Sequence, residues 1–192
     1  MMALGFYLDM TMCIGCRACQ VACKDKNNLR VGILFRNVHN YETGAYPNSK
    51  LYHYSSACYH CTDAKCVKGC PTGAMHYAKD GTVQHDDELC IGCQYCVWNC
   101  PYEAPQYIDE LNIVKKCDSC KDIRDAGENP ACVDACPMRC LEFGDLDELR
   151  KKHGADLVTS IPILPTSSSL KPSILIKPRS YALELDFVEK EV

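Results

Sequence analysis

Seventeen cysteines stand in this 192-residue sequence, and sixteen of them fall into four tight groups that could do chemistry. Group one is Cys13, Cys16, Cys19 and Cys23, and group two is Cys58, Cys61, Cys66 and Cys70, followed by Pro71. Group three is Cys90, Cys93, Cys96 and Cys100, followed by Pro101. Group four is Cys117, Cys120, Cys132 and Cys136, followed by Pro137. Thiolates at such short intervals are soft ligands that can wrap a metal centre from one loop. Disulfides fit poorly, because the chain opens on MMALGFYLDM without the basic and apolar regions of a secretory signal. Zinc is normally held by two separated pairs, and only group four has that form.

Groups one and three carry the C-x2-C-x2-C-x3-C spacing of bacterial ferredoxins, and group three adds the proline. In that run three thiolates hold one iron–sulfur cluster and the fourth reaches a neighbouring one. The proline, with its fixed φ and no N–H, then turns the chain away. Three segments repeat from the fourth cysteine: CPTGAMHY at Cys70, CPYEAPQY at Cys100 and CPMRCLEF at Cys136. Cys140 occupies the position of Ala74 and Ala104 in that repeat, so it reads as a small buried side chain and not as a ligand. All sixteen grouped cysteines are expected to bind iron, as four 4Fe–4S clusters.

The elements that must position these loops are short. AMHY and TVQH flank Lys79-Asp80-Gly81 as a hairpin, and PQYIDELNIVKKC reads as another. Asp9 and Asp86 each precede the first cysteine of a group by four residues and suit turns there. Asp145 and Glu148 form a D-x-x-E cap before a helix that Gly154 can end. From Ser160 the chain is rich in Pro and Ser and reads as an extended arm lying on a neighbour. His60 is expected at the surface or behind a ligand, Trp98 against a cluster, and Lys115, Lys116, Arg150, Lys151 and Lys152 in solvent.

The conventional core is thin, with four Phe and one Trp, so the sulfur sites must contribute to stability. Net charge is −4 with no basic stripe for nucleic acid, and no apolar run is long enough to span a membrane. No phosphate-binding loop, nucleophile with its base, or open metal position is visible, so catalytic residues are not expected.

The motifs CIGCRACQVACKD, CIGCQYCVWNCPYEAPQY, KKCDSC and ACVDACP, with the tail LEFGDLDELRKKHG to KPSILIKP, resemble the four-cluster iron–sulfur subunit of dimethyl sulfoxide reductase-type molybdoenzymes. Lys24, instead of Pro, follows the last cysteine of group one. The resemblance implies an α+β fold of two pseudo-symmetric bacterial-ferredoxin-like modules, short hairpins and helices around the clusters, with an extended C-terminal arm. Groups two and three, joined by a hairpin, form one module over 58–100. Spacing alone leaves other pairings open, and the resemblance pairs groups one and four over 1–57 and 101–144, with 145–192 as helix and arm for partner contact. Crosswise ligation then gives the sets Cys13, Cys16, Cys19 and Cys136; Cys117, Cys120, Cys132 and Cys23; Cys58, Cys61, Cys66 and Cys100; and Cys90, Cys93, Cys96 and Cys70. The implied partners are a large molybdenum bis-pterin catalytic subunit and a quinol-oxidising membrane anchor. Membrane association would come through those partners, outside the cytoplasm if a partner carries a twin-arginine signal and inside otherwise. A hydrogenase or formate-oxidising complex, or a free polyferredoxin carrier, is the alternative.

Overall fold

The computed structural model describes residues 3–165 and 169–191. Strand β1 (Leu4–Asp9) leads into group one, whose last two cysteines lie on helix α1 (Ala18–Lys26). A hairpin of β2 (Arg36–Thr43) and β3 (Lys50–Ala57) delivers the chain to group two and the short helix α2 (Lys65–Lys68). The expected turn at Lys79-Asp80-Gly81 joins β4 (Met75–Tyr77) to β5 (Val83–His85), and group three closes on α3 (Tyr95–Asn99). The second expected hairpin is β6 (Gln106–Ile108) with β7 (Ile113–Lys115). Group four sits around α4 (Lys121–Asp125) and α5 (Ala131–Asp134). Strand β8 (Leu141–Asp145), helix α6 (Leu146–His153), β9 (Ile174–Lys177) and β10 (Val188–Lys190) complete the chain.

Strand β1 is the centre of a three-stranded sheet. It runs antiparallel to β8, with Phe6 opposite Phe143, and parallel to β9, with Leu8 opposite Ile176. A second sheet has the order β10-β2-β3. The main core mixes Phe6, Leu8, Tyr52, Tyr54, Ile174 and Ile176 with cysteines of groups one and four. Most of the helices are only four or five residues long, too short to hold alone, so the packing around the thiols must keep them folded. Asp145 caps α6 as expected, accepting from the N–H groups of Asp147 and Glu148, and Gly154 follows the helix at φ +93°.

The tail departs from the arm that its composition suggests. Strand β9 is built into the first sheet and β10 into the second, both on this chain itself. Ile174, Leu175 and Ile176 are buried in succession, as a strand covered on both faces requires. Pro172 and Pro178 flank that strand, where no ladder N–H is lost. Thr166, Ser167 and Ser168 of the tail, like Met1 and Met2 of the leader, lie outside the described residues.

Candidate metal centres

The opening C-x-x-C turn of each group places a left-handed residue directly before its second cysteine. These are Gly15 (φ +69°), His60 (φ +44°), Gly92 (φ +67°) and Ser119 (φ +60°). The conformation tightens the turn and brings backbone N–H groups toward the thiols: the N–H of Ser119 donates to Cys117 Sγ at 3.4 Å. Glycine adopts it freely. In groups two and four His60 and Ser119 hide the equivalence, so the sequence alone does not reveal it.

The long-range packing then brings the groups together. The ladder between β1 and β8, extended by the Asp9 N–H donating to Cys140 O at 2.8 Å, sets group one beside the end of group four. Cys13, Cys16, Cys19 and Cys136 line one cavity there. Cys140 shares it, with its Sγ 3.4 Å from Cys136 Sγ. Helix α1 packs on α5, and the buried thiols of Cys23, Cys117, Cys120 and Cys132 lie close enough to act on one another's charge. In the other half α2 packs on α3, across Gly69, where a Cβ would lie 2.6 Å from the Tyr95 ring. Cys58, Cys61, Cys66 and Cys100 line one cavity of that half, and Cys70, Cys90, Cys93 and Cys96 line another.

In three of the four sets the thiols line a cavity, whereas a zinc site would have them converge on a point. Among the described residues no three His, Cys, Asp or Glu side chains close on a single ion. Four soft donors around a cavity are a donor set for a polynuclear iron–sulfur cluster, so the residues fit that group. Burial pushes the Cys23, Cys61 and Cys66 thiols up to about 12 and Cys96 to about 11. A hydrogen bond from the Cys140 thiol holds the Cys13 thiol below the usual thiol range, outweighing burial. Ligation of the raised thiols must therefore release protons.

The side chains around the cavities correct two expectations, for Lys116 and Trp98, and decide between the two places expected for His60. Lys116 is 5% exposed, not solvated, and its ammonium donates to the carbonyls of Val83 and Cys117 beside the Cys58 cavity. His60 is 1% exposed, well away from the surface, and its Nδ1 accepts from the Val83 N–H. Burial, with Lys116 and Arg124 nearby, holds its pKa well below the usual imidazole range, so it stays neutral. Trp98 is 75% exposed and does not fill a cavity, because α3 turns Cys96 inward and Trp98 out.

Thiols of neighbouring sets act on one another's charge. Burial raises Cys19, and Cys132 of the next ring adds to it; burial likewise raises Cys117, with Cys58 adding to it. Burial again leads at Cys66, where Cys96 of the last ring contributes. Of the sixteen thiols, Cys16 and Cys93, in the first and last rings, are exposed.

Tetra-thiol cavities set in short hairpins and helices define a ferredoxin-like iron–sulfur protein. Residues 12–74 match the model of a 4Fe-4S dicluster domain and residues 49–146 match a second one. The sequence is 45% identical over 184 residues to the B subunit of anaerobic dimethyl sulfoxide reductase from Escherichia coli (strain K12), covering 92% of this protein and 89% of the relative. It is 43% identical over 187 residues to the corresponding subunit from Haemophilus influenzae, covering 93% and 90%. It is 37% identical over 180 residues to the B subunit of polysulfide reductase from Wolinella succinogenes, covering 91% and 93%. The chain therefore belongs to the family of iron–sulfur, electron-transfer subunits of dimethyl sulfoxide reductase-type molybdoenzymes. Two dicluster domains and 17 cysteines fit four 4Fe–4S clusters. Among the described residues no helix is long and apolar enough to cross a membrane.

Proposed function

We propose that this chain is a non-catalytic relay subunit, holding four 4Fe–4S clusters between a quinol-linked membrane anchor and a large molybdenum bis-pterin catalytic subunit. The observation that carries the reading is three cavities each lined by at least four thiols, beside a fourth set of four buried thiols, with Cys16 and Cys93 reaching the surface. When bound, each cluster supplies a one-electron couple whose potential follows charge, hydrogen bonds to sulfur and exposure.

The ligand sets we propose are the crosswise ones. Cys136 joins Cys13, Cys16 and Cys19, and Cys23 joins Cys117, Cys120 and Cys132. Cys100 joins Cys58, Cys61 and Cys66, while Cys70 joins Cys90, Cys93 and Cys96. The cavity linings support three of these sets, and the mutual charge effects of the buried Cys23, Cys117, Cys120 and Cys132 thiols support the fourth. Groups two and three then make one module over 58–100, nested in a second formed by 1–57 and 101–144. The role of this chain's residues is to fix the cysteines, exclude water from the two inner rings and expose one ring at each end for partners. Attachment to the membrane comes through those partners. None of the relatives reported above is named as part of a hydrogenase or formate-oxidising complex, so their names give that alternative no support.

Iron analysis of the intact, anaerobically purified complex tests the count, after correction for iron in the catalytic subunit. Four irons per ligand set are expected, and a total near eight for the chain would overturn the reading. Size-exclusion chromatography of a native extract tests the partners: a lone species near 21.5 kDa would favour a free carrier.

A further inference from the structure

Arg36 begins β2 and is 2% exposed. Its Nη1 donates to Ser55 O at 3.3 Å and to Ser55 Oγ at 3.0 Å, and its guanidinium carbon lies 4.5 Å from the centre of the Phe6 ring. Nε and Nη2 are buried and find no acceptor among the described residues. A buried guanidinium with unsatisfied donors is costly, so a fold keeps one only opposite an anion. The guanidinium keeps its charge in any protein interior, and Cys132, Cys117, Cys19 and Cys23, which share one buried core with the Phe6 ring beneath it, are the thiols that act on that charge. Those four cysteines belong to two rings: Cys19 to the outer ring with Cys13, Cys16 and Cys136, the other three to the inner ring. Ser55 ties the arrangement together, since its Oγ also lies 3.4 Å from Cys19 Sγ.

We propose that Arg36 is a buried counter-charge shared by two of the four clusters, raising the potentials of the pair held by groups one and four and leaving the other pair unaffected. The inference rests on the ligand sets proposed above. A cluster gains one negative charge on reduction, and a fixed cation in a low-dielectric interior stabilises the reduced form more than the oxidised one. The two orphan N–H donors add to this, because hydrogen bonds toward cluster sulfur act in the same direction. A packing role alone would not need a cation here, and a neutral side chain of similar length would fill the space without the desolvation cost.

Redox titration of the complete complex, followed by electron paramagnetic resonance, tests the proposal in Arg36→Gln and Arg36→Lys. Signals are assigned to rings with single Cys→Ser variants. In Arg36→Gln two clusters should show about a tenfold lower reduced-to-oxidised ratio at fixed potential, ~59 mV for a one-electron couple, while the other two stay unchanged. Arg36→Lys, which keeps the charge, should hold four clusters with a smaller shift. Loading of only two clusters in Arg36→Gln beside four in Arg36→Lys would also support the charge. Four unchanged potentials, four falling together, or cluster loss in Arg36→Lys would overturn it. Fewer than four clusters in the native complex would instead overturn the ligand sets themselves.

Discussion

Cys136 Sγ and Cys140 Sγ lie 3.4 Å apart in the buried corner where β8 begins. A fifth thiol therefore shares a cavity with the proposed ligands Cys13, Cys16, Cys19 and Cys136. The segment repeat assigns it the place of Ala74 and Ala104, both of which follow a CP pair without supplying sulfur. Cys140→Ala should accordingly keep the full iron content, read by iron and acid-labile sulfide analysis. Loss of one cluster would show that the ligand of that ring is Cys140.

The crosswise sets make a separable prediction for Cys100. It follows α3 in sequence, yet it lines the cavity of Cys58, Cys61 and Cys66. Cys100→Ser should alter the spectroscopic signature of that cluster and spare the one held by Cys90, Cys93 and Cys96. A structure that resolves the Fe–S bonds, near ~2.3 Å by analogy with other metal–thiolate distances, reads the same point directly. A bond from Cys100 to the cluster of Cys90 would sink the idea.

Gly92 and Ser119 occupy the same left-handed place in two turns, and substitutions there should differ sharply in cost. At Gly92 an added Cβ would stand 2.3 Å from Asn112 O as well as in a strained conformation. Gly92→Ala should cost ~2 kcal/mol or more and empty the ring of Cys90, Cys93 and Cys96 first. Ser119→Gly removes a side chain from φ +60° and should be near neutral, the relief of strain offsetting its lost hydroxyl contact with Asp118 O. Thermal loss of cluster absorbance measures both, and equal damage from the two would refute the shared-turn argument.

Asp80, in the turn between β4 and β5, receives Arg124 Nη1 at 3.1 Å and Nη2 at 3.0 Å, which ties the hairpin to α4. Burial raises its pKa, but Thr82 and Arg124 outweigh that and bring it down to about 2, from 3.8. A carboxylate depressed on folding adds stability that is present above the unfolded value and lost as pH falls toward the folded one. Asp80→Asn should therefore destabilise by roughly 1–2 kcal/mol at neutral pH. The gap to the native protein should be flat from pH 8 to pH 5 and begin to close only below about pH 4. A gap that narrows between pH 8 and 6 would point to another group.

The chemistry of the site was legible because it is local. Cysteines two or three residues apart must face one centre whatever the rest of the chain does, and the Lys79-Asp80-Gly81 turn and the Asp145 cap involve neighbours in sequence. Which loops share a cavity was not legible for groups one and four, because that depends on β1 meeting β8 across more than a hundred residues. His60 and Ser119 carried no glycine to mark their left-handed turns, and only the backbone revealed them. Periodicity is weak in a helix of five residues and absent past the end of β7, so Trp98 outside and Lys116 inside were decided by the packing of neighbouring elements. The tail's composition read as an arm, but Ile174 to Ile176 needed an apolar cover, and β1 supplied one on its own chain. Arg36 is the sharpest case: one charged residue opening an ordinary strand, whose burial among cysteines of two rings exists only once two sheets close over it.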